Sequence, residues 1–164
     1  MKSDVSTFRS STGGVSAFGR TNLHFVDPGI KVNGQYYRDI LHTGDLRPDI
    51  KQCCDYFTFQ QDGAPAHRAS ETVKLLKVKT PDFIPPNLWP PISVNLNPVE
   101  YKIWGLLQER VYKTSIKDVG QLRCRIAEEW DKLDQRIIDK AVAEWRKRLR
   151  ACVAAGGGQF EHKV

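Results

Sequence analysis

The sequence predicts a single domain of the α/β class, and three observations point to it. Short runs rich in β-branched and aromatic residues alternate with longer runs in which apolar residues recur every three or four positions. The length of 164 residues is enough for one compact domain. The composition, 40% hydrophobic and 27% charged, is that of a globular protein and excludes a disordered chain.

The first part of the chain predicts two strands and a helix. Residues 15–18 and 21–26 have the pattern of short strands, with a hairpin turn at 19–20. Asp, Pro and Gly at 27–29 form a turn that ends the second strand. The apolar residues between 32 and about 49 fall on one face of a helix.

The middle of the chain repeats the alternation and then changes character. We expect a strand over residues 56–60, a helix from 67 to about 77 and a short strand at 82–84. Residues 85–98 contain five prolines, so this stretch is predicted to be an extended loop.

A long helical region is predicted for the C-terminal part. Pro98 suits a first helical position, and Asn97 is a good N-cap before it. The first helix runs to about Val111. Beyond it, apolar residues at helical spacing continue through Leu122, Ile126, Trp130, Leu133, Ile137, Ala141, Trp145 and Leu149. Three glycines at 156–158 predict a flexible tail.

The positive charge of the chain is concentrated in its C-terminal part. The net charge is +6, and residues 101–150 contain 13 basic and 8 acidic side chains. A basic surface favours a polyanionic partner, because neutralising phosphates releases counterions. The alternative is a solvated helix face that carries surplus Lys and Arg.

Composition excludes several other classes. The four cysteines form no C-x-x-C pair, which argues against a zinc finger or a disulfide scaffold and favours reduced intracellular thiols. No apolar run approaches the roughly 20 residues that span a bilayer, and the N-terminus lacks the apolar core of a secretory signal. We therefore expect no membrane partner.

Two carboxylates are placed where they could carry chemistry. Asp62 follows a predicted strand, and Glu100 lies in the first turn of a predicted helix. Carboxylates on separate rigid elements can converge on Mg²⁺, and a pair of such ions can cleave a phosphodiester. Each residue also has a simpler explanation, since Glu stabilises the start of a helix and Asp before Gly is common in turns.

Each of these carboxylates lies in a distinctive motif: residues 59–67 are FQQDGAPAH, and residues 97–104 are NPVEYKIW. The first resembles the second-aspartate motif of the Tc1/mariner transposases, and the second resembles the third-carboxylate motif of the same family. The 37 residues between Asp62 and Glu100 are a spacing found in the superfamily. Further similarity lies at 19–29, 88–91 and 145–152, so that the resemblance covers about residues 13–164.

The resemblance implies a ribonuclease H-like fold, a mixed sheet flanked by helices with a long C-terminal helical region. It implies a nuclear DDE/D endonuclease that acts on DNA, not on a small molecule, with Mg²⁺ or Mn²⁺ in a two-metal site. Asp62 would be the second carboxylate and Glu100 the third, both catalytic and metal-binding. His67 matches a histidine that is frequent in the family, with either an accessory or a structural role.

The sequence departs from the family at the first carboxylate. Only twelve residues precede Gly13, none resembles the first central strand, and Asp4 is their one acidic residue. We therefore expect an unstructured or non-familial segment at 1–12, a truncated catalytic core at 13–155 and a flexible tail at 156–164. Val94-Asn95 also replaces the usual Pro-Asp, which loosens the loop before Glu100.

These departures predict weak metal binding and a chain that is inactive alone, and exposed strand edges leave self-association open. Two alternatives remain. One is a non-catalytic module that binds nucleic acid through Arg146, Lys147, Arg148 and Arg150. The other is a decayed transposon relic without a selected function.

Overall fold

The computed structural model describes residues 11–43, 55–89, 94–158 and 160. Six two-residue strands lie in its first half: β1 Ser11–Thr12, β2 Val15–Ser16, β3 Gly19–Arg20, β4 His24–Phe25, β5 Thr58–Phe59 and β6 Asp82–Phe83. The helices are α1 Gly34–Thr43, α2 Ser70–Lys79, α3 Trp104–Val111, α4 Val119–Asp131 and α5 Gln135–Ala154. Asp4 and the predicted end of the first helix lie outside the described residues.

The described strands form three separate pairs. β1 pairs with β4 and β2 with β3, both antiparallel, whereas β5 and β6 are parallel. Within the described ranges no strand joins the β1–β4 pair to the β5–β6 pair. The described strands thus include both antiparallel and parallel pairs, as a mixed sheet requires.

The predicted hairpin exists, but its turn was placed two residues too late. The turn consists of Ala17 and Phe18, and residues 19–20 belong to a strand. The Phe18 amide donates to Ser16 Oγ at 3.1 Å, a local hydrogen bond that favours this turn. Gly19 then adopts a φ of 148°, a value that side-chain-bearing residues rarely reach.

Helices α1 and α2 pack together over the β5–β6 pair. Asn33 begins α1 by accepting the Tyr36 amide at 2.9 Å, so the helix starts two residues after its predicted position. A buried cluster between these elements consists of Tyr37, Ile40, Leu41, Ala66 and Leu76. The turn at residues 65–67 includes His67, where the second helix was expected to begin, and α2 starts three residues later at Ser70.

The proline-rich stretch contains short helical turns where an extended loop was predicted. Pro86–Leu88 and Val94–Leu96 are 3₁₀ turns in its described part. After it, Asn97 caps the next segment as expected, since its Oδ1 accepts the Val99 amide at 3.1 Å. Val99–Ile103 forms one π-helical turn that leads into α3.

Helices α3, α4 and α5 provide the larger core. Its buried side chains are Val99, Ile103, Leu107, Val111, Leu122, Ile126, Trp130, Leu133, Ile138 and Ala141. Asp118 and Asp134 accept amide hydrogen bonds at the starts of α4 and α5. The break between these two helices shifts the helical phase, so that Ile138 is fully buried and Ile137 only half-buried.

Trp130 connects the helices to residues 11–25, which carry β1 to β4 and are called the strand segment below. Its Nε1 donates to Thr21 O at 2.8 Å, and its ring stacks on Trp104 with centroids 5.8 Å apart. Gly13 lies so close that an added Cβ would come within 3.0 Å of the indole. The β1–β4 segment therefore packs directly on the helical core.

A flexible tail was predicted from residue 156, but its described residues, 156–158 and 160, are held against α5. The Gly157 amide donates to Cys152 O at 3.0 Å, and the φ of Gly156 and Gly157 is positive. Phe160 is buried with Leu96 and Cys152. Within the described part, no helix combines the length and apolarity needed to cross a bilayer.

Candidate functional site

A cleft of about 590 Å³ separates the strand segment from the β5–β6 pair. One wall is residues 12–21, and the other is residues 57–62 with Tyr37 and His67. Asn97, Pro98 and Val99 lie across from them. The cleft thus brings the predicted second-carboxylate motif together with the first residues of the predicted third.

Asp62 lies in this cleft with one oxygen already engaged. Its Oδ1 accepts the Ala64 amide at 3.0 Å and lies 2.5 Å from His67 Nδ1. An ionised carboxylate only accepts hydrogen bonds, so His67 Nδ1 carries the proton in this pair. The side chains of Asp62 and His67 are 28% and 20% exposed, and the pair is therefore largely shielded from water.

Two further residues hold His67 in place. The Tyr37 hydroxyl donates to Gln61 Oε1 at 2.8 Å, and Gln61 Nε2 donates to His67 O at 3.0 Å. The Tyr37 and His67 rings lie with their centroids 4.2 Å apart. Tyr37 and Gln61 are buried, so this network fixes the turn that carries the Asp62–His67 pair.

The electrostatics of the cleft favour an ionised Asp62. Burial by itself raises the pKa of the carboxyl, but the hydrogen bond and charge of His67, together with the Ala64 amide, bring it below its usual range. Burial, reinforced by the Asp62 charge, raises the pKa of Tyr37 well above its usual value. Asp62 is thus an anion and Tyr37 a neutral donor at ordinary pH.

Glu100 is not among the residues that line the cleft. It is half-buried in the π-helical turn, directly after Val99, and its amide donates to Asn97 O at 3.0 Å. The structure therefore brings Asp62 and His67 into contact and places Glu100 one residue beyond the opposite wall.

The described residues do not fit a two-metal site. Such a site requires several oxygen ligands around each ion. Among the residues with described positions, no three His, Cys, Asp or Glu side chains cluster closely enough to hold a metal ion. Asp62 Oδ1 is also committed to two donors. The Mg²⁺ or Mn²⁺ expected from the resemblance has no complete set of ligands in this part of the chain.

The four predicted nucleic-acid contacts on α5 differ in their surroundings. Arg146, Lys147 and Arg150 are exposed. The Arg148 guanidinium lies 3.8 Å from the centroid of the Tyr101 ring, and its side chain is 17% exposed. It donates to Asn95 O at 3.3 Å and lies 3.7 Å from Glu144. Arg148 thus holds the helix against its neighbours.

Structural comparison places this architecture among known proteins. The crystal structure of the catalytic domain of Mos1 mariner transposase matches 90% of this chain and 73% of its own, with a TM-score of 0.70 and 19% identity. The chain has the fold of that mariner transposase domain. This finding confirms the predicted fold class and extends the similarity from the two short motifs to the fold of the chain.

Other Mos1 structures match equally well. The Mos1 strand transfer complex aligns with a TM-score of 0.75 at 19% identity, over 92% of this chain and 44% of that one. A Mos1 catalytic domain with raltegravir and Mn aligns with a TM-score of 0.70 at 19% identity, over 90% and 74% of the two chains. No family model and no curated protein matches the sequence.

Sequence reasoning missed the residues that support the site. Tyr37 lies on α1 and Gln61 in the loop after β5, and no local pattern connects the two. Arg148, in contrast, could have been recognised: it lies three residues after Trp145 and four before Cys152, on the inward face of α5. The helical period of the sequence therefore places Arg148 on a different face from the exposed cations of α5.

Proposed function

We propose that this chain binds DNA as a mariner transposase core does and does not cleave it alone. The support for DNA as the partner is the shared fold with Mos1, whose structures include a strand transfer complex and a paired-end complex with a transposon end. The exposed cations of α5 supply the matching charge. Nuclear localisation remains a prediction that accompanies this function.

The exposed face of α5 has the geometry of a phosphate-binding surface. Lys140, Lys147 and Arg150 recur at intervals of seven and three residues, and Arg146 lies one turn before Arg150 on the adjoining side of this stripe. From Lys140 to Arg150 the helix advances about 15 Å. Such a stripe neutralises backbone phosphates without reading bases.

Binding is tested by fluorescence anisotropy with a labelled DNA duplex at several salt concentrations. The variant Arg146→Gln/Lys147→Gln/Arg150→Gln should bind more weakly and reduce the salt slope by about 2 to 3, since each phosphate contact contributes about 0.9. The control Lys113→Gln/Lys117→Gln/Lys132→Gln removes the same charge at exposed positions outside α5. Equal losses in both variants would contradict a specific role for α5.

Cleavage is tested by nicking of supercoiled plasmid in Mg²⁺ or Mn²⁺. The folded parent chain should leave the plasmid intact, because the described residues offer Asp62 with a single free oxygen and no three-ligand cluster. Nicking that both Asp62→Asn and Glu100→Gln abolish would overturn this part of the proposal. It would mean that residues outside the described ranges complete the site.

A further inference from the structure

A second basic surface lies beside α2, at a distance in sequence from the cations of α5. A groove of about 520 Å³ runs along this helix, and three cations, Arg68, Lys74 and Lys77, contribute to its lining. Ser70 and Asn87 add neutral polar groups, and no acidic side chain lines the groove. Its chemistry is therefore that of a surface for an anion.

The cations of this groove are available to a ligand. Arg68 and Lys77 are exposed, and neither has an ion-pair partner among the residues that the structure describes. Lys74 lies 2.8 Å from Glu71, but both side chains are more than 60% exposed. An ion pair so open to water contributes little, so a phosphate can displace it.

The spacing of the polar side chains along the groove suits an extended polyanion. Ser70, Lys74 and Lys77 follow one another at intervals of four and three residues and form a single stripe on α2. The stripe is about 10 Å long, which corresponds to about three nucleotides along one DNA strand. Val73 and Pro86 provide apolar contacts beside the charges.

The groove also adjoins the cleft that holds Asp62. Arg68 directly follows His67, so the groove begins one residue, about 3.8 Å along the chain, from the Asp62–His67 pair. A backbone that follows the α2 stripe to Arg68 therefore reaches the residue next to His67, which lines the cleft. This continuity gives the surface a positioning role.

We propose that the α2 groove binds the sugar–phosphate backbone of DNA, independently of sequence, and leads it to the Asp62–His67 cleft. The inference rests on the proposed function, because it assigns a second contact surface to the same DNA. Charge counting along the chain could not reveal it: residues 51–100 contain five basic and five acidic side chains. Folding gathers three of those cations onto one groove.

The test compares two triple variants by anisotropy over a range of salt. Arg68→Gln/Lys74→Gln/Lys77→Gln should lower the salt slope by about 2 to 3 and weaken binding equally for two duplexes of unrelated sequence. The Lys113→Gln/Lys117→Gln/Lys132→Gln chain is the matched control. Circular dichroism establishes that each variant keeps the parent's helix content.

The outcomes separate this inference from the proposed function. An unchanged slope in the α2 variant, with weakened binding in the α5 variant, overturns the groove and leaves DNA binding intact. A parent chain that does not bind DNA at all overturns both. If the triple variant fails to fold, Lys77→Glu repeats the test at a single exposed side chain, and it should weaken binding at low salt most strongly.

Discussion

One carboxylate oxygen of Asp62 accepts two hydrogen bonds. The Ala64 amide and His67 Nδ1 both donate to Oδ1, and the two hydrogen bonds restrict the Asp62 rotamer. Hydrogen bonds to an ionised acceptor are the stronger kind, so the pair contributes to the stability of the turn at residues 62–67. This contribution exists only while Asp62 is charged.

The pair therefore predicts a pH dependence of folding. The pKa of Asp62 is below its usual range in the folded chain, whereas an unfolded aspartate titrates near about 3.9. The stabilisation is complete above that value and is lost as the pH falls through the lower, folded pKa. Asp62→Asn should lower the free energy of unfolding by about 1 to 3 kcal/mol at neutral pH. It should also reduce the fall of that free energy at acid pH, measured by urea unfolding at a series of pH values.

The matched control is Asp131→Asn, at an exposed residue of α4 whose side chain does not line the cleft and whose backbone oxygen, which accepts from Arg20, is kept by the substitution. In this control the free energy of unfolding should fall at acid pH as steeply as in the parent chain. If it also falls as steeply in the Asp62→Asn chain, the Asp62–His67 pair contributes nothing to folding.

At the scale of an element, α5 carries two kinds of basic residue with opposite tasks. Arg148 lies over the Tyr101 ring, whose hydroxyl donates to Ala141 O. Burial raises the pKa of Tyr101 to about 12, with the Arg148 charge opposing and the Glu144 charge adding to the shift. Arg146, by contrast, faces solvent. Stability and DNA binding should therefore separate along one helix.

Two single substitutions test this separation. Arg148→Ala should lower the free energy of unfolding by about 1 to 3 kcal/mol, because it removes a cation–π contact, an ion pair and a hydrogen bond. Arg146→Ala should change it by no more than about 0.5 kcal/mol, yet weaken DNA binding. Chemical denaturation and anisotropy on both chains provide the comparison, and a reversed ranking would contradict the two assignments.

Local signals in the sequence predicted the helices well and the strand contacts poorly. Asn97 was recognised as a cap because a cap depends only on the residues beside it. The turn at residues 17–18 was misplaced because distant groups help to hold the hairpin: Gln135 Nε2 donates to Ser16 O at 3.0 Å, across 119 residues. No local pattern contains such a contact.

The same distinction applies to the site. Asp62 and His67 were predicted from one short motif, and they lie in direct contact. The α2 groove depends on the packing of Asn87 and Pro86 against a helix that begins at Ser70, so only the folded chain reveals it. Glu100 was expected beside Asp62, but it is the residue after Val99, which lines the cleft, and it does not line the cleft itself.

For the molecule as a whole, the two larger buried clusters of the described residues imply uneven stability. Ten buried side chains join α3, α4 and α5, whereas five join α1, α2 and the β5–β6 pair. Less buried apolar area means a lower free energy of local opening. The cleft between the strand segment and the β5–β6 pair lies at the edge of the smaller cluster, so the Asp62 wall should be the more mobile one.

Hydrogen exchange with two matched core substitutions tests this hierarchy. In the parent, amides of α4 should exchange more slowly than those of α2, because only full unfolding exposes them. Leu76→Ala should accelerate exchange in α2 and leave α4 protected, since Leu76 belongs to the smaller cluster. Ile126 belongs to the larger cluster. Ile126→Ala should therefore lower the free energy of unfolding by about 2 to 5 kcal/mol and accelerate exchange in both helices. Equal acceleration of both helices by Leu76→Ala would mean that the two clusters unfold as a single unit, and that the walls of the cleft open together.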